Sequence, residues 1–139
     1  MRFWDSSALI PLLLDEGRST EVVRLFDADQ HQAVWCLTEV EAASAISRKA
    51  REGMTTEREK AARSQLRFLR ERWVEVSSLE GVRTRALRLL SIHSLRAADA
   101  LQLAAALVSC DEQTEALPFV CLDDRLADAA RKERFPVLP

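Results

Sequence analysis

Three aspartates and a pair of glutamates stand where a carboxylate does more than keep a surface wet. Asp5 ends the short apolar opening "MRFW", and Asp123 ends the apolar run "PFVCL". Asp99 lies inside "SLRAADALQLAAAL", a stretch of nearly solid Ala and Leu. At about 100° per residue, Leu95, Leu103 and Ala106 share its face of a helix, and the opposite face (Leu101, Ala104, Ala105, Val108) is apolar as well. An unpaired buried carboxylate takes up a proton rather than stay charged, and Asp is a poor helix-interior residue. Something must hold Asp99 there: a salt bridge, with Arg96 close in sequence, or a cation. Glu39 and Glu41 in "LTEVEAASAISR" are the remaining candidates, and a helical wheel does not choose between them.

Carboxylates that meet in one pocket repel, and some protonate unless a cation keeps them ionised. Oxygen-only ligands select a hard ion, Mg²⁺ or Mn²⁺, which accepts phosphate oxygens as further ligands. His31 and His93 are the chain's two histidines and fall at no metal-binding spacing, so zinc is not expected. No Gly-rich phosphate loop occurs, and Asp5-Ser6-Ser7 lacks the second acid of a DxD phosphatase signature. The plain alternative is that Asp5 and Asp123 each cap the helix that follows and that the glutamates face solvent.

The elements that must position these acids read as an alternation. Arg2 to Trp4 suit a buried strand, and Ala8 to Leu14 a helix, with Pro11 near its start and Gly17 as its break. A helix over Thr20 to Phe26, a strand at "QAVWCL" and a helix from Thr38 to Arg51 follow. Thr55 or Thr56 caps the next helix, which reaches about Arg72, and "WVEVS" alternates as a strand. Two helices, Glu80 to Ser91 and Arg96 to Ser109, precede the strand "PFVCL", the helix "DRLADAARKE" and an edge strand "FPVL". Strands separated by helices pair in parallel through right-handed crossovers, which predicts an α/β sandwich with helices on both faces of a mainly parallel sheet. In such sheets ligands gather beyond the carboxyl ends of the strands, where Asp5 and Asp123 both fall.

Composition bounds the rest. At 139 residues, 47% hydrophobic and 30% charged, the chain suits one globular domain over 1–139 and excludes wholesale disorder. Cys36, Cys110 and Cys121 form no CxxC pair and read as small apolar residues of a reducing cytoplasm. There is no basic-then-apolar leader and no uncharged run of membrane-spanning length, so an intracellular protein is expected. Trp4, Trp35 and Trp73 occupy strand-like positions and are expected in the core.

The motifs "FWDSSALIPLLLDEG", "LTEVEAASAISR", "LRAADALQLAAAL" and "FVCLDDRLADAA", in this order, resemble the PIN-domain ribonucleases. They are most similar to the VapC toxins of toxin–antitoxin pairs. The resemblance covers essentially the whole chain and implies a three-layer α/β/α sandwich. Carried over by position, it implies Asp5 as the first acid with Ser6 in support. It takes Glu41, seven residues before Arg48, over Glu39, then Asp99, and Asp123 over Asp124. It also implies one or two Mg²⁺ or Mn²⁺ ions that activate a water for in-line attack on an RNA phosphodiester, leaving 5′-phosphate and 3′-hydroxyl ends. A homodimer and a VapB-like antitoxin that blocks the pocket are implied with it. Two positions depart from the family pattern: Cys121 where Thr or Ser is common, and Pro11 where a basic residue is common.

From Arg48 to Arg72 the chain has nine Lys or Arg against four Glu, with Arg63, Arg67 and Arg70 along one helical stripe. The stripe reads as a phosphate track for RNA, or as a solvated face with pairs such as Glu59–Arg63. Two further readings of the chain stay open: a PIN-fold nuclease of RNA processing, and a catalytically silent α/β binding module.

Overall fold

A computed structural model describes residues 1–15 and 19–139; the helix break expected at Gly17 lies outside the described residues. The chain runs β1 (Arg2–Trp4), α1 (Ser6–Leu13), α2 (Ser19–Ala28), β2 (Gln32–Trp35), α3 (Thr38–Arg51) and α4 (Thr56–Arg70). It continues through β3 (Val74–Val76), α5 (Leu79–Ile92), α6 (Ala97–Ser109), β4 (Phe119–Val120), α7 (Asp124–Lys132) and β5 (Val137–Leu138). A single 3-10 turn at Thr114–Ala116, which the apolar pattern does not announce, leads into β4.

The sheet order is β3-β2-β1-β4-β5, and every pairing is parallel. Phe3 pairs with Ala33 on one side and Phe119 on the other. Because side chains alternate across a strand, the sheet divides two cores. Phe3, Ala33, Trp35, Val76 and Phe119 pack with Val82, Leu89, Leu103, Leu107 and Leu126 of α5, α6 and α7. Trp4, Val34 and Val120 pack on the other side with Ala8, Leu9, Val22, Ile46, Leu66 and Leu69 of α1 to α4. Two helical layers thus enclose one parallel sheet, as expected, and Trp4, Trp35 and Trp73 are all buried.

The order also explains where a site can form. The chain winds from β1 through β2 to β3 in one direction, then crosses to β4 and β5 on the other side of β1. Beyond the carboxyl ends of β1 and β4 the connections diverge, and such a switch point is where parallel sheets form a crevice for ligands. Asp5 follows β1 directly and Asp123 follows β4 within a short loop.

Two sequence expectations need correction. Helix α1 begins at Ser6 rather than Ala8, because Asp5 serves as its N-cap and accepts the Ser7 N–H. Pro11 therefore sits inside the helix and buried, not in its first turn. Asp99 is not deep in α6. The helix starts at Ala97, so Asp99 lies in its first turn, half-buried, where free N–H groups favour a carboxylate. The puzzle of an acid among Ala and Leu is partly one of register.

Candidate active site

Each acid is delivered by a helix N-terminus. Asp5 caps α1, its Oδ2 taking the Ser7 N–H at 2.9 Å. Asp123 caps α7, its Oδ1 taking the Leu126 N–H at 2.8 Å. Asp99 reaches back to the Arg96 N–H at 3.4 Å in a capping box. Glu41 lies in the first turn of α3. The capping alternative for Asp5 and Asp123 is therefore correct as far as it goes. It does not compete with a site, because each cap uses one carboxylate oxygen and leaves the other.

Three pairs of these acids lie near enough for charge to be felt: Glu41 and Asp99 act on Asp5, and Asp123 on Asp99. Asp5 is only 3% exposed, and burial pushes its carboxyl from 3.8 to about 6; bonds from Ser7 oppose the rise, and Glu41 and Asp99 add to it by repulsion. Asp99 is pushed up by burial, held back by the Arg96 N–H, and raised further by Asp123; Arg96 and Arg125 oppose this with their charge. Asp99 makes no salt bridge among the described residues, so the Arg96 alternative reduces to a backbone hydrogen bond. Asp123 rather than Asp124 is the neighbour that acts on Asp99.

Glu41 and Glu39, between which a wheel does not choose, part company in the fold. Glu41 is half-buried; its Oε2 accepts from Ser6 Oγ at 2.8 Å and its Oε1 from Gln102 Nε2 at 2.8 Å. Glu39 turns away and pairs with Arg70 at 3.1 Å. An open groove of about 410 Å³ adjoins Glu41, lined by Ile10, Val40, Ser44, Ala45 and Arg48.

The hydroxyl expected at position 121 is replaced in part from elsewhere. Ser7 Oγ accepts the Leu122 N–H at 2.9 Å and lies 3.7 Å from Cys121 Sγ. The Cys121 thiol, buried and 3.8 Å from Asp5 Oδ2, is pushed far above the ordinary range by burial and then by the Asp5 charge, so it stays a neutral weak donor.

Among the described residues no three His, Cys, Asp or Glu side chains enclose an ion as they stand. Asp5, Asp99 and Asp123 each give one oxygen to a helix N–H, which leaves the other oxygen of each free among the described residues. The donor set itself suits a hard divalent cation. It is all oxygen, with His31 engaged by Asp29 and His93 by Glu133. The buried Asp5 carboxyl has no cationic partner among the described residues, which is the place a positive charge would relieve.

The basic stripe is largely spoken for. Arg63 bonds Ser47 at 3.3 Å and lies 3.7 Å from Glu59; Arg67 bonds Ser64 at 2.9 Å; Arg70 pairs with Glu39 and Glu75 at 3.1 Å each. Ser7, Thr38 and Gln102 escape a reading of the sequence. Gln102 carries a signal in hindsight, as the one amide in the Ala/Leu helix, three residues after Asp99.

Fold and site together define an open, parallel α/β sandwich with an acidic centre at its switch point. The sequence matches the PIN domain family model over residues 2–132, and the chain belongs to the PIN domain family. PIN domains are in general nucleases, hydrolases of phosphodiester bonds. Among solved structures, the chain is similar to one in a toxin–antitoxin complex from Klebsiella pneumoniae, at 19% identity and TM-score 0.61, with 91% of each chain covered. It is also similar to a protein from Pyrobaculum aerophilum, at 23% identity and TM-score 0.62, with 92% of this chain and 83% of that one covered. These likenesses are of fold. No curated protein matches the chain. Among the described residues no helix is long and apolar enough to cross a membrane.

Proposed function

We propose that the chain is a metal-dependent endoribonuclease, a VapC-type toxin of a toxin–antitoxin pair. The reading is supported by the electrostatic influence of Glu41 and Asp99 on the buried Asp5 and of Asp123 on Asp99, four acids from separate segments. Asp5, Asp99 and Asp123, with Glu41, would hold Mg²⁺ or Mn²⁺. When bound, the ion supplies neutralisation of the phosphate charge and acidification of a water near neutral pH, so that no histidine base is required.

The chain's own residues prepare that chemistry. Asp5, with its carboxyl raised to about 6, is mostly ionised at pH 7 and gives up the remaining proton as a cation arrives. Helix N-termini behind Asp5, Asp99 and Asp123 keep the carboxylates oriented. Ser6 holds Glu41, and Ser7 with Cys121 walls the far side of Asp5. The groove beside Glu41, with Arg48 on its wall, would let an RNA strand approach the acids from that side, and Arg63, Arg67 and Arg70 of α4 are the further candidates for phosphate contact.

A toxin role is supported by the likeness to a chain of the Klebsiella pneumoniae toxin–antitoxin complex. On that reading the protein acts in the cytoplasm as a homodimer, and a VapB-like antitoxin covers the acidic crevice.

Two measurements test the reading. Calorimetric Mn²⁺ titration should give binding that Asp5→Asn and Asp99→Asn abolish. Mapping of cleavage ends in total RNA after induced expression should give 5′-phosphate and 3′-hydroxyl termini, absent with Asp5→Asn. Activity that survives EDTA, or 2′,3′-cyclic phosphate ends, would contradict it.

A further inference from the structure

Gln102 lies on α6, flanked in sequence by Leu101 and Leu103, and is 1% exposed. Its amide crosses to α3, where Nε2 donates to Thr38 Oγ1 at 3.0 Å and to Glu41 Oε1 at 2.8 Å. An ionised carboxylate only accepts, so Glu41 dictates which end of the amide faces it. With Nε2 committed in this way, the buried Oε1 has no partner among the described residues. An apolar side chain of similar length would fill the place without orphaning an acceptor, so packing alone does not account for an amide here. What the amide adds is a fixed donor to Glu41.

Ser6 supplies the matching donor to the other oxygen. The two donors come from α1 and α6, while Glu41 itself stands on α3. Neither donor is charged, so together they fix the plane of the carboxylate without neutralising it. Each oxygen keeps a lone pair for a further contact. Gln102 and Asp99 are three residues apart on one helix, so the amide also ties the position of Glu41 to that of Asp99.

Resting on the cation-binding reading of the acids, we propose that Gln102 is the positioning residue of the centre, setting the direction from which Glu41 offers its oxygens to the ion. The partner oxygen is set by Ser6, and the Gln102 bond locks α6 to α3 across the crevice.

The test uses the full chain with Gln102→Met, which keeps length and loses the donor, and Gln102→Asn, which withdraws the amide by one methylene. Mn²⁺ affinity is read by calorimetry. Turnover is read on a labelled oligonucleotide carrying the mapped cleavage site, and folding by thermal midpoint. Gln102→Met is expected to stay folded with a modestly lowered midpoint, to bind Mn²⁺ about tenfold more weakly and to lose about 10- to 100-fold in kcat, with KM for the RNA within about twofold. Gln102→Asn should show the same loss of affinity and kcat. Parental affinity and kcat in both variants, or a lowered midpoint as the sole effect, would overturn the role of Gln102 and leave the nuclease reading standing. If instead the parent and Asp5→Asn behave alike in Mn²⁺ binding and cleavage, the cation reading itself falls and this role with it.

Discussion

Ser6 and Glu41 are separated by 35 positions in the chain, yet Ser6 Oγ donates to Glu41 Oε2 at 2.8 Å. The contact joins the start of α1 to the first turn of α3 at the mouth of the crevice. Ser6 is 8% exposed, so water does not readily replace it. Ser6→Ala should therefore cost about 1 kcal/mol in thermal or urea unfolding, an ordinary hydrogen bond's worth. Its effect on RNA cleavage should be larger, about tenfold in kcat, because an unheld carboxylate presents its oxygens to the ion in many directions. Unchanged turnover in Ser6→Ala would leave the serine a purely structural role.

The Asp5 carboxyl predicts an unusual pH dependence for the metal-free protein. Its folded value, about 6, lies above the ordinary 3.8, so the folded state binds the proton more tightly than the unfolded one. Asp5 thus costs stability as pH rises from about 4 through 6, to a limit of roughly 3 kcal/mol. Asp5→Asn removes that cost. Its midpoint should match the parent near pH 4 and rise above it by a growing margin to about pH 7. Saturating Mn²⁺ should stabilise the parent alone and close the gap. A pH-independent difference between the two proteins would contradict this.

The architecture was legible in the sequence where period and punctuation agreed. Thr55 caps α4 as its type suggests, and α3 begins and ends at the expected Thr38 and Arg51. The short strands announced themselves as apolar runs between helices. The setting of Asp99 did not: a helix starting at about Arg96 already puts it in the first turn, where N–H groups are free, but the Ala and Leu run around it suggests an interior place. The choice of Glu41 over Glu39 was invisible to a helical wheel. It depends on Ser6 and Gln102 on one side and Arg70 on the other, all distant in sequence. Partnerships across 61 residues, as between Gln102 and Glu41, leave no local pattern.

Glu133 offers a structural control remote from these contacts. It receives Arg88 through both guanidinium nitrogens, at 2.8 and 3.3 Å, and His93 Nε2 at 2.8 Å, and so ties the ends of α5 and α7. Burial alone would raise its carboxyl, but the bonds from Arg88 and His93 prevail and hold it below the ordinary value. A depressed carboxylate contributes stability above its unfolded value and loses it as pH falls through the folded one. Glu133→Gln should therefore destabilise by roughly 1–2 kcal/mol at pH 7, and the difference should vanish toward pH 3. Mn²⁺ affinity should stay at the parental value, which calorimetry on the same sample checks.

The arginines differ in how free they are to grip a phosphate. Arg70 holds Glu39 and Glu75, so an RNA phosphate must displace two carboxylates to reach it. Arg67 bonds only a serine hydroxyl, and Arg48, exposed beside the groove that adjoins Glu41, has no ion pair among the described residues. Release of counterions from the RNA is therefore greatest where the guanidinium starts without a carboxylate. With cleavage blocked by EDTA, Arg48→Ala and Arg67→Ala should each flatten the plot of log affinity against log salt by about 0.7, the single-strand value per phosphate. Arg70→Ala should flatten it by clearly less, since its ion pairs offset the gain. Fluorescence anisotropy of a labelled RNA across a salt series reads all three slopes. A slope change for Arg70 as large as that for Arg48 would mean that its carboxylate partners are released at no cost, and would restore Arg70 to the phosphate track.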